Sequence, residues 1–162
     1  MVAGLFGRMK PTKSVYAETD AATEMRHQRP DDRDLLDPQG DGACLPRSLS
    51  LAIYGHERHH QKLRDAVVDY MLKGPLPGET AMRDKNFERE MAQMRLQTTY
   101  MKTAQVEAFA YLLNTPIYTC VENRGCYFWQ RLPHEAAPVN VSNSRAVYIL
   151  NENVHFQLVL KP

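Results

Sequence analysis

The 162-residue chain has no apolar run approaching the ~20 residues that a membrane-spanning helix needs. Its start, MVAGLFGRMK, lacks a signal-peptide core followed by small cleavage residues. It is short of cysteine: Cys44, Cys120 and Cys126 form an odd set with no CxxC pair, which argues against a disulfide framework and a structural zinc site. It also lacks an excess of either charge. Twenty Lys and Arg face 19 Asp and Glu, so no bulk positive field exists to hold a nucleic-acid backbone or an anionic membrane. No repeat or low-complexity tract is visible, and no long apolar stripe demands a second copy. Together these absences suggest a monomer in a reducing compartment, the cytoplasm or a cytosol into which it is delivered, with no membrane or nucleic-acid partner. What is present, 43% hydrophobic and 24% charged residues, is enough to close one core.

Residues 1–34 carry scattered charge, Pro11, Pro30 and few large apolar side chains, and read as a flexible arm. The domain is expected over residues 35–162. After the turn DPQGDG, Leu45, Leu49, Ala52 and Ile53 share one helical face, and Gly55 supplies a stop. A second helix is predicted from about Glu57 to Leu72, a third from about Asp84 to Leu96, and a fourth from Thr103, as cap, through Asn114. The period then drops to two. Two strands around Ile117–Val121 and Cys126–Leu132 flank an Asn123-Arg124-Gly125 turn, and strand-like runs follow at Ala146–Leu150 and Phe156–Leu160. Helices first and strands last imply an α+β domain, with helices packed on a small, mostly antiparallel sheet.

The chemistry centres on Cys44, which follows Gly40-Asp41-Gly42-Ala43 and opens the first helix. The partial positive charge and unpaired N–H groups of a helix N-terminus favour the thiolate. Glycines 40 and 42 let the same loop aim backbone N–H groups at a developing oxyanion. A thiolate needs a base that later protonates the leaving group. Of six histidines, His27, His56, His59, His60 and His134 lie in polar stretches, whereas His155 stands at the mouth of the strand FQLVL. The His56, His59, His60 group has no acid or cysteine at ligand spacing, so neither a metal nor a cofactor is expected. Cys120 and Cys126 fall on strand patterns and read as structural.

The stretch GDGACLPRSLS resembles the nucleophile motif of ovarian tumour (OTU) domain cysteine proteases, and VHFQLVL resembles that family's histidine motif. TAQVEAFAYLLNTPIYTC is similar to its middle segment, so the likeness covers about Leu35 to Leu160. It implies a papain-like OTU fold and a deubiquitinase that hydrolyses the isopeptide or peptide bond after the C-terminal glycine of ubiquitin or polyubiquitin. By motif position it implies Cys44 as nucleophile, His155 as base and Asp41 as the associated acid, which either orients His155 or shapes the loop, with Gly42 and Ala43 in the oxyanion loop. Family members often carry an acid or amide two residues from the histidine; here the candidates are Asn153 and Gln157. Pro46 stands where an aromatic is common, and Tyr100-Met101-Lys102 where a Trp-Gly pair is common. Met94, Tyr100 and Met101 are the candidate substrate contacts, although Met94 also fits core-facing spacing. The missing carboxylate beside His155 keeps open a ubiquitin-binding module with weak or no turnover, and a protease for another ubiquitin-like tail is a further alternative.

Overall fold

The computed structural model describes residues 28–80 and 83–162. The arm expected over residues 1–34 therefore falls, up to residue 27, outside the described residues. Among the described residues, four α-helices, α1 (Cys44–Tyr54), α2 (His60–Lys73), α3 (Lys85–Met94) and α4 (Thr103–Leu113), accompany five strands, β1 (Leu35–Leu36), β2 (Ile117–Asn123), β3 (Cys126–Leu132), β4 (Val147–Glu152) and β5 (His155–Val159). The strands form one sheet in the order β1-β5-β4-β2-β3, in which β2 and β4 pair in parallel and every other pair is antiparallel. This is the expected α+β architecture. Among the described residues, no helix is long and apolar enough to cross a membrane.

The helices lie on one sheet face. Leu45, Leu49, Val67, Met91, Met101 and Phe109 bury against Ile117, Ile149, Phe156 and Leu158 in a single cluster. The opposite face gathers Cys120, Tyr148, Leu150 and Val159 beside Tyr118 and Trp129. Element ends follow local chemistry. Gly55 closes α1 in the left-handed region at φ 76°, and Asn114 does the same for α4 at 48°. Asp84 caps α3 through the N–H groups of Asn86 and Phe87. Several boundaries differ from the periodicity by a few residues, two of them for visible reasons. The cap of α4 is Lys102 rather than Thr103, with the Gln105 side chain accepting from the Lys102 N–H at 2.9 Å. Helix α3 ends at Met94, short of Leu96, because the guanidinium of Arg64 takes the Met94 and Gln97 carbonyls and turns the chain away.

Short β1 decides the edge of the sheet. Its Leu35 and Leu36 lie opposite Val159 and Leu158, and the Leu160 N–H donates to Asp34. Just upstream, Arg29 pairs with Glu152, which also accepts the Tyr127 hydroxyl, so Arg29 lies against the end of β4. Helix α1 packs on β5, where the Ser48 hydroxyl donates to the Phe156 carbonyl at 3.2 Å. That pairing brings an early helix against the last strand, which positions the site.

Candidate active site

Cys44 is the first residue of α1 and is 2% exposed. Three backbone N–H groups point at its sulfur: its own, that of Leu45, and that of Phe156 on β5. Since Phe156 follows His155, the strand that holds the sulfur also carries the imidazole. The His155 ring covers Gly40, where a Cβ would come within 3.9 Å of both Nδ1 and Cε1. On its other edge, Nε2 lies 2.6 Å from Oδ1 of Asp37.

Asp37 was not among the residues singled out by sequence, which directed attention to Asn153, Gln157 and Asp41. Neither amide is the partner of Nε2. Asn153 sits in the β4–β5 turn at φ 52°, and Gln157 lies in β5 opposite Leu150. The pairing of Leu36 with Leu158 is what carries the next residue, Asp37, to the histidine edge. A carboxylate upstream of the cysteine was the available signal, but only strand register connects it to a residue 118 positions away.

Asp41 resolves to the loop-shaping alternative. Its Oδ1 accepts from the Ala43 N–H and from Arg47 Nε, both at 3.1 Å, while Oδ2 accepts from Arg47 and Gln97, each at 2.7 Å. The hydrogen bonds of Asp41 thus go to Ala43, Arg47 and Gln97, and the Ala43 N–H of the expected oxyanion loop is engaged by Asp41. The Arg47 guanidinium holds the Asp41 carboxyl well below the usual carboxylate range. A depressed folded pKa contributes stability that is present above the ordinary aspartate value of about 3.9 and lost as pH falls below it. Both partners are mostly buried, at 18% and 10% exposure. Asp41→Asn should therefore cost about 2 kcal/mol at pH 7, and the gap from wild type should narrow toward pH 3. Urea denaturation at the two pH values checks it; a gap independent of pH would contradict the assignment.

The loop is held from below as well. Gly42 has φ +89°, and a Cβ there would stand 2.3 Å from the Thr98 carbonyl oxygen, so only glycine fits. Arg64, fully buried on α2, donates to the carbonyls of Gly42 at 3.0 Å, Met94 at 2.7 Å and Gln97 at 3.2 Å. One guanidinium thus ties the cysteine loop to the 94–98 segment. Apolar periodicity gave no reason to place an arginine there.

Of the three candidate substrate contacts, Met94 (3% exposed) and Met101 (0%) belong to the core, because the turn after α3 folds them beneath the loop. Only Tyr100 remains partly open. Its ring stacks on Phe156 at 5.6 Å, and its hydroxyl donates to Asn151 Oδ1 at 3.2 Å. Burial, then the neighbouring Cys44, pushes the phenol up to about 12.

Burial also reverses the expected acidity of the nucleophile. It pushes the Cys44 thiol up, outweighing the three N–H groups that pull it down, so the helix start alone does not make a resting thiolate. A base must take the proton.

A cysteine at the head of an early helix, held in part by the N–H of a late-strand residue whose neighbour is a histidine, is the architecture of a thiol hydrolase. Comparison with known proteins agrees. A family model described as OTU-like cysteine protease matches residues 39–156, and the chain belongs to that family. It is 34% identical over 87 residues to the mouse OTU domain-containing protein 3, a stretch that is 52% of this chain and 22% of that protein, so it spans about a fifth of that relative's length. The OTU domain of OTUD1 superimposes with a TM-score of 0.63 at 18% identity, covering 77% of this chain and 83% of that one. The OTU protease of Dera Ghazi Khan virus gives 0.59 at 13% (77% and 78%). An OTU deubiquitinase of Wolbachia pipientis wMel, solved bound to ubiquitin, gives 0.54 at 15% (80% and 97%).

Proposed function

We propose that the protein is a deubiquitinase that hydrolyses the bond after the C-terminal glycine of ubiquitin through a thioester on Cys44. The observation that carries this reading is the Asp37–His155 contact at 2.6 Å on the strand whose next N–H holds the Cys44 sulfur. Family membership supports thiol proteolysis, and the Wolbachia neighbour is described as bound to ubiquitin.

In this mechanism Asp37 accepts the Nε2 proton of His155, which leaves the Nδ1 lone pair facing the 40–44 loop as the base. His155 removes the Cys44 proton and the sulfur attacks the glycyl carbonyl. The oxyanion is received by the Cys44 N–H, and by that of Gly42 rather than the engaged Ala43. His155 returns its proton to the leaving amine, and water resolves the thioester. Thr98 pressed against Gly42 narrows the approach, which suits a substrate tail without side chains at its last two residues.

Ubiquitin bearing an electrophilic C-terminus should form an adduct at Cys44, located by mass spectrometry of the digested protein. Binding without adduct would instead identify a non-catalytic ubiquitin module. Asp37→Ala should slow hydrolysis of ubiquitin–coumarin by about 100-fold in kcat with little change in KM, because the imidazole loses its tautomer and its counter-charge. The effect is smaller than for a sequestered acid, since the Asp37 side chain is 65% exposed and water can substitute in part. A kcat within twofold of wild type would remove Asp37 from the mechanism.

A further inference from the structure

The two-residue turn between β4 and β5, immediately before His155, carries an unfavourable residue. Asn153 and Val154 both have positive φ, 52° and 59°. Such turns suit Asn-Gly, and the chain's other tight hairpin turn uses glycine in the second place, Arg124-Gly125 at 53° and 81°. A β-branched side chain in the left-handed region is a steric outlier. Val154 is also 72% exposed, the most exposed of the large hydrophobic residues in the described structure. Isolated exposed aliphatics are ordinary; one that is strained as well gains nothing for the free fold, and strain of this kind collects at functional sites. The turn flanks the reacting groups. Its neighbour His155 covers Gly40, and Asn151 at the root of the same hairpin is held by Tyr100, which stacks on Phe156, the residue whose N–H points at the Cys44 sulfur.

We propose that Val154 is a substrate-contact residue, its side chain meeting an apolar side chain of ubiquitin on the acyl side of the scissile bond. This rests on the deubiquitinase reading and names part of its substrate site. Backbone strain and water exposure at Val154 are then offset in the complex, not in the free protein.

The test compares wild type with Val154→Gly and Val154→Leu, using ubiquitin–coumarin, which has no protein on the leaving side. Val154→Gly should raise the melting temperature, since glycine accepts positive φ, yet increase KM about tenfold with kcat within about twofold. Val154→Leu, which keeps an apolar side chain, should hold KM within about threefold. The alkylation rate of Cys44 by iodoacetamide should be unchanged in both. Unaltered KM in Val154→Gly overturns the proposal, as does a fall in kcat accompanied by slower alkylation, which would mean that the turn positions His155. A KM effect seen only with di-ubiquitin would put the contact on the leaving side and also overturn it. If wild type neither cleaves ubiquitin–coumarin nor forms the probe adduct, the deubiquitinase reading falls first and this inference with it.

Discussion

Cys44→Ala should leave no measurable cleavage of ubiquitin chains, and His155→Ala should lower kcat/KM by about 10³-fold or more. The two losses have different origins. Without sulfur no thioester can form, and the N–H groups of Cys44, Leu45 and Phe156 have nothing to hold. Without the imidazole the sulfur remains, but burial pushes its thiol up and the base of the proposed mechanism is gone. Both variants should fold. Cys44→Ala removes one buried atom, costing about 1 kcal/mol, while His155 stands at a sheet end with its side chain 26% exposed. Activity is read against di-ubiquitins of every linkage and folding by circular dichroism. A Cys44→Ala protein that still cleaved chains would refute the mechanism outright, and the same panel would reveal linkage preference.

Arg64→Ala should cost about 4 kcal/mol and lower the melting temperature by roughly 10 °C. The guanidinium is wholly buried, and three carbonyls from two chain segments converge on it. Removing it leaves the Gly42, Met94 and Gln97 oxygens without those donors in a place water does not readily reach. Burial lowers the pKa of Arg64, but an arginine remains charged throughout the working range, so replacement rather than titration is the way to test it. Lysine should rescue only partly, because a compact ammonium cannot span three carbonyls fixed by a planar fork. In a variant that remains folded in the cold, amide exchange should accelerate in residues 94–98 and probe labelling of Cys44 should slow, since the loop loses its tie to Met94 and Gln97. Thermal unfolding within 2 °C of wild type would show that the buried charge contributes nothing net.

The elements whose signals are local were legible. The α1 stop at Gly55, the existence of α2, the Arg124-Gly125 hairpin turn and the strand of His155 all follow from spacing and turn chemistry within a few residues. One helix end moved because of a distant partner: α3 stops where Arg64, 30 positions away in sequence, takes the Met94 carbonyl. Met94 and Met101 illustrate the same limit. A methionine near a loop can face a partner or the core, and only the turn after α3 places both inside.

By itself, the order of residues determined the α+β class and the family likeness, and it nominated Cys44 and His155, because glycine-turn-helix and histidine-strand patterns are written in neighbouring positions. Tertiary structure decided which carboxylate meets the imidazole, and it gave Asp41 to Arg47 instead. It also placed a full charge, Arg64, under the loop and set the Cys44 thiol by burial. These depend on pairings such as Leu36 with Leu158, which form only when the whole sheet closes. No short-range pattern encodes which segments become neighbours across more than a hundred residues of chain, so the acid and the clamp became visible only in three dimensions.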